Sequence, residues 1–136
     1  MNADKAQELK EECFRLKFVG SEILFKYNNA QLAKICNGIG ADWFPEYFRE
    51  IVSWIFNYLS ATAFQHDVEF EAQIGLALAN EHFLINGEIE IKDKFAWYNP
   101  MRYIALRRLR QFYHLLVTFG HVAYNIAGLK KKWKLV

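Results

Sequence analysis

The sequence predicts a mainly α, single-domain protein: two long antiparallel helices, several shorter helices and one small β-hairpin. Apolar residues recur three and four apart along most of the 136-residue chain. Only two prolines and seven glycines interrupt it. Hydrophobic residues make up 53% and aromatics 17%, enough to build a core without disulfide or metal staples.

The first predicted helix spans residues 3–28, with Ala6, Leu9, Cys13, Leu16 and Phe18 at helical spacing. A short helical piece follows to about residue 35. Residues 36–43 are a glycine-rich loop, because Gly38 and Gly40 permit positive φ and leave backbone amides and carbonyls accessible. Pro45 suits the first turn of the next helix, predicted over 45–74. Its inward stripe is Phe48, Val52, Ile55, Leu59, Thr62, His66, Phe70 and Gln73. His66 therefore faces inward near the helix end, and Asp67 lies one residue around.

Gly75 separates this helix from a short one over 76–85. Asn86-Gly87 is a two-residue turn signal, and Ile89 and Ile91 alternate with charges after it, so residues 86–98 read as a hairpin or loop. Pro100 opens the last helix, 100–128, striped by Ile104, Ala105, Leu109, Phe112, Leu116 and Phe119. Gly128 reads as its terminator, and residues 129–136 as a basic tail.

Net charge is only +2 but unevenly placed. Residues 94–136 hold nine Lys/Arg and no acid, while residues 1–93 hold eight basic residues and all fifteen acids, a net of −7. Such a basic third suits an anionic surface or a solvated helix face. Two cysteines without CxxC spacing fit a reduced compartment. The polar first ten residues lack a signal-peptide core, and no stretch of 18 uncharged apolar residues occurs, so a cytoplasmic location is expected.

Several residue sets could carry chemistry. His114 and His121 are seven apart, about 10.5 Å along a helix, too far to share one zinc ion, and His82 lies elsewhere. Ser21, Ser53 and Ser60 lack a GxSxG elbow, and Cys36 lacks a recognisable base pattern. Trp97, Tyr98 and Tyr103 in the basic third could stack on bases, but no nucleic-acid motif accompanies them, so nucleic acid is not the expected partner. Trp43, Phe44, Trp54 and the Lys130–Lys134 tail mix aromatics with lysines, as interface-seeking segments do.

The strongest set is His66-Asp67 with the Gly38/Gly40 loop. An inward His can act as a general base when a partner holds its ring. An adjacent Asp can ligate a hard cation together with loop carbonyls. Cys36-Asn37-Gly38-Ile39-Gly40, with Trp43 after it, and Ala63-Phe64-Gln65-His66-Asp67-Val68-Glu69-Phe70 resemble the phospholipase A2 superfamily. That family carries a glycine-rich calcium loop and a helical C-x-x-H-D-x-x-Y/F segment. The similarity is nearest to its cysteine-poor microbial and phage-borne members and covers about residues 36–83. Those members often add an Ala-Asp-x-x-Phe element whose Asp orients the catalytic His. Here it reads Ala79-Asn80-Glu81-His82-Phe83, so Asn80 stands in that place. Ala63 replaces the half-cystine, and the spacing from Gly38 to His66 is longer than in the secreted enzymes.

The resemblance implies a calcium-dependent acyl-ester hydrolase acting on phospholipid or a similar ester. His66 would be the base and Asn80 its orienting partner. Asp67 and the backbone of Cys36, Gly38 and Gly40 would hold calcium. The alternative is a catalytically inactive relative, which could be phage-encoded and would act as a protein-binding or inhibitory factor. Asn80 favours that alternative, because an amide accepts a hydrogen bond but cannot stabilise an imidazolium by charge.

Overall fold

The structure, a computed structural model, describes residues 1–36 and 49–134. The Gly38/Gly40 loop, Trp43, Phe44 and the Pro45 helix start lie outside them. The described residues are mainly helical: α1 (Ala3–Arg15), a 3₁₀ helix (Ser21–Lys26), α2 (Asn29–Ile35), α3 (Arg49–Tyr58), α4 (Ser60–Ala72), α5 (Leu76–Lys94) and α6 (Pro100–Lys134). No strand occurs among them.

α1 starts where the Asn2 side chain accepts from Lys5 N at 2.8 Å. It stops well short of the expected residue 28. Lys17 takes a positive φ of 56°, and Phe18 N and Lys17 N donate back to Cys13 O and Phe14 O. This Schellman turn satisfies two orphan carbonyls and brings Leu16 and Phe18 into the core. α4 ends the same way at Gln73, φ 55°.

The helix expected over 45–74 is two helices, α3 and α4, broken at Leu59 (φ −121°, ψ 49°). The cause lies on α5. Glu90 Oε1 accepts from both Thr62 N (3.0 Å) and Thr62 Oγ1 (2.7 Å), while Lys94 Nζ donates to Tyr58 O. One side-chain pair, an i,i+4 couple on α5, thus satisfies an N–H and a carbonyl that a continuous helix would pair with each other. Leu59 stays fully buried, so the inward stripe survives the break.

The expected hairpin over 86–98 is absent. Residues 86–94 continue α5 straight through Asn86-Gly87. Neither residue serves a turn. Asn86 Oδ1 accepts from Val19 N (2.8 Å), and its Nδ2 donates to Val19 O (3.1 Å). Gly87 lets α6 approach: a Cβ there would lie 2.4 Å from Leu109 Cδ1. Tertiary contacts override a local turn preference. The true turn between α5 and α6 is Phe95–Asn99. There Asn99 Oδ1 accepts from Met101 N and Pro100 takes the first helical position. α6 runs on through Gly128, and residues 129–134, expected as a tail, are helical.

α4 is the axis of the molecule. One side packs Ala61, Phe64 and Val68 against α1, the 3₁₀ helix and α2, around Leu9, Cys13, Leu24 and Leu32. Ala63, with Ile55 and Leu59 just before it, packs with Phe83 and Ile91 of α5 and Leu109, Phe112 and Leu116 of α6. A helix enclosed from several directions needs no single apolar stripe, and α4 indeed buries four polar side chains: Thr62, Gln65, His66 and Glu69. No described helix is long and apolar enough to cross a membrane.

Candidate active site

The four buried polar residues of α4 meet a matching set on antiparallel α5. From one end of the seam, Thr62 bonds Glu90. Gln65 Nε2 and Asn86 Nδ2 both donate to Val19 O, at 2.7 and 3.1 Å. Glu69 accepts from Gln65 Nε2 at 2.7 Å and lies 2.9 Å from His82 Nδ1. His66 Nε2 lies 3.3 Å from Asn80 Oδ1. Burying such groups is tolerable because each makes at least one hydrogen bond, three of them to α5 and Gln65 to the Val19 carbonyl and to Glu69 of its own helix, although Gln65 Oε1 is left without a partner among the described residues.

At the His66 end, an amide oxygen can only accept, so the His66–Asn80 bond fixes the tautomer. Nε2 carries the proton and Nδ1 the lone pair. The ring is 7% exposed. It is gripped by Phe70 (centroids 4.3 Å) and Phe83 (5.1 Å, edge-on). Burial pushes its pKa down to about 4, against a smaller upward pull from Asn80. His66 is therefore a neutral, oriented imidazole at physiological pH, as a general base requires.

Asp67 points elsewhere, as expected from its place on the helix. It is partly buried, and its field reaches Cys36. Burial alone raises its pKa to about 7, and it forms no ion pair among the described residues. A carboxyl held this way gains by meeting a cation, which favours its charged form. Cys36 ends α2, so its backbone and Asp67 lie at one edge of α4. Gly38 and Gly40, the other expected calcium ligands, lie outside the described residues. No group of three metal-ligating side chains occurs among those described. A cation here would depend on backbone oxygens with Asp67, a donor set that suits calcium rather than zinc.

The other sequence candidates separate. His114 and His121 are exposed on α6, and His82 is engaged with Glu69. Cys13 and Cys36 donate to Ala61 O and Phe64 O of α4, and burial pushes both thiols up, away from thiolate chemistry. Trp54 is partly buried, stacked on Tyr58 and capped by the Arg108 guanidinium 5.8 Å from its ring, so it braces α3 against α6. Sequence reasoning missed the Glu69–His82 pair, because both residues lie off the expected inward stripe. Burial pushes the Glu69 carboxyl up to about 7, partly offset by Gln65 and His82. The available signal was polar residues at 62, 65, 66 and 69, an i, i+3, i+4, i+7 set on one face of the helix.

No family model matches this chain, and neither a curated protein nor a solved structure is similar to it.

Proposed function

We propose that the chain is a phospholipase A2-like acyl-ester hydrolase in which His66 is the general base and Asn80 its positioning residue. The observation that carries this reading is the 3.3 Å His66–Asn80 contact between two packed antiparallel helices, with the ring held neutral. The His66 Nδ1 lone pair takes a proton from water, and the water oxygen attacks the ester carbonyl. On departure the leaving alkoxide recovers that proton from the imidazolium. Asn80 keeps Nδ1 aimed by holding Nε2–H. Asp67 and the backbone of Cys36, Gly38 and Gly40 would hold calcium. When bound, calcium supplies positive charge for the oxygen anion that develops on the carbonyl.

Calorimetric titration with Ca²⁺ beside Asp67→Ala tests the metal half of this reading. Binding in the micromolar-to-millimolar range that Asp67→Ala abolishes is the expected result. No binding by the folded protein removes calcium from the mechanism.

A second reading is favoured by Asn80 itself and by the low exposure of His66. A neutral partner gives the imidazolium no charge stabilisation, as an inactive, partner-binding relative could tolerate. Absence of hydrolysis in both the natural protein and Asn80→Asp supports this second reading and contradicts the first.

A further inference from the structure

The α5–α6 turn carries the most conspicuous exposed surface among the described residues. Trp97 and Tyr98 are each 73% exposed, Tyr103 60%, Ile104 47% and Met101 41%. Trp97, Tyr98 and Tyr103 are tied together at the turn, and Met101 and Ile104 stand beside them on the first turns of α6. The patch is rigid. Tyr103 Oη donates to Trp97 O at 3.0 Å, the Trp97 and Tyr98 rings meet edge to face at 5.7 Å, and Asn99 caps α6. Five large apolar or amphipathic side chains held open to water at one turn are not a by-product of core packing, which uses Ala105 and Leu109 of the same helix.

The charge around it is mainly positive. Lys92, Lys94, Arg102, Arg107 and Arg110 flank the patch, and no acid occurs from Lys94 onward. Nearby acids are engaged: Asp93 with Arg15 at 2.8 Å, and Glu90 with Thr62 and Lys94. Beside the patch, a cleft of about 410 Å³ between α3 and α6 is lined by Ile104, Ile51, Arg107, Arg108, Gln111 and Glu50. It offers two guanidinium groups against one carboxylate.

We propose that the α5–α6 turn docks on an anionic lipid surface, with Trp97, Tyr98, Tyr103, Met101 and Ile104 entering the interface and Arg102 and Arg107 meeting lipid phosphates. Trp and Tyr favour the headgroup level because each has an apolar body and a polar tip. Cations beside them add attraction to acidic lipids. A second copy of this chain is disfavoured, since two basic turns repel. Nucleic acid would use the aromatics and arginines but gains nothing from exposed Met101 and Ile104. Asn80 and Lys94 are 14 residues apart on α5, about 20 Å by helical rise, so this surface is remote from His66 and does not rest on the hydrolase reading.

The test is co-sedimentation of the full chain with phosphatidylglycerol/phosphatidylcholine vesicles and with phosphatidylcholine alone. Binding to the anionic vesicles that weakens with added salt is expected, with a loss of at least about tenfold in Trp97→Ser/Tyr98→Ser. Both positions are exposed, so that variant should keep the parent's circular dichroism. Should it misfold, Arg102→Gln/Arg107→Gln must show the same loss. His66→Ala should bind as the parent does, which separates docking from catalysis. Absent binding, or binding that both variants leave unchanged, overturns the proposal. So does a variant-sensitive oligonucleotide complex, or a variant-sensitive dimer, without vesicle binding.

Discussion

His66 donates to an amide oxygen where a carboxylate would raise its basicity, and that difference sets the proton chemistry open to it. With a pKa near 4, the ring is a weak base that is always in its reactive form at neutral pH. Asn80→Asp would place a negative charge about 3 Å from Nε2, raise the His66 pKa and stabilise the imidazolium. The expected outcome is a hydrolysis rate raised at least about tenfold. The scale comes from serine proteases, where the reverse exchange of Asp for Asn at the orienting position costs about 10⁴. Steady-state ester hydrolysis checks the rate, and NMR titration of His66 checks the pKa. The carboxyls act in the opposite sense on stability. His66 titrates below its ordinary value, so its contribution is full above about pH 6.5 and is lost as pH falls toward 4. Asp67 and Glu69 titrate near 7, above their ordinary range, so theirs is full in acid and is lost as pH rises from about 4 to 7. Asp67→Asn removes one of these costs. Its melting temperature relative to the parent should climb between pH 4 and 7 and level off above, as thermal scans across pH would show. A constant difference contradicts the burial of Asp67.

At the scale of elements, the α4–α5 seam and the α5–α6 crossing hold the site. His66 and Asn80 can meet only if α4 and α5 keep their register, and Gly87 sets how closely α6 packs on α5. Gly87→Val would force a side chain into Leu109, whose Cδ1, Cδ2 and Cγ lie 2.4, 2.9 and 3.2 Å from a Cβ at that position. Leu109 is fully buried, with little room to give. Overpacking of this kind costs about 1–3 kcal/mol, measurable by urea denaturation. Glu90→Ala should cost a similar amount, because it leaves Thr62 N–H and Oγ1 without their acceptor. The same elements show what the sequence could and could not reveal. The inward positions Ile55, Leu59, Thr62, His66 and Phe70 were legible, since a 3.6-residue period fixes a face whatever covers it. The break at Leu59 was not, because Glu90 and Lys94 cause it from about thirty residues away. Asn86-Gly87 read as a turn for a similar reason: the partner of Asn86 is Val19, 67 residues distant, and no local rule weighs such a contact. Lys17 and Gln73, which end α1 and α4 in left-handed geometry, carry none of the glycine that usually marks such ends.

Across the whole molecule, α5 runs between the two proposed sites, with Asn80 near its start and Lys94 at its end. The His66–Asn80 pairing was legible through the resemblance of residues 63–70 and 79–83 to the phospholipase A2 superfamily, which implies that the residue at position 80 orients His66. The charge asymmetry was also legible, but its meaning was not. Trp97, Tyr98 and Tyr103 read only as aromatics within a basic third, and their exposure is set by the turn they occupy, while Trp54, read as an interface-seeking residue, is stacked on Tyr58 between α3 and α6. The proposed hydrolase stands or falls on His66 as a working base. Fatty-acid release from phosphatidylglycerol-containing vesicles in millimolar Ca²⁺ tests it most directly, with the parent, His66→Ala and Asn80→Asp side by side. Slow release by the parent, none by His66→Ala and faster release by Asn80→Asp is the expected result. Release that survives His66→Ala, or no release by the parent and Asn80→Asp alike, would contradict it.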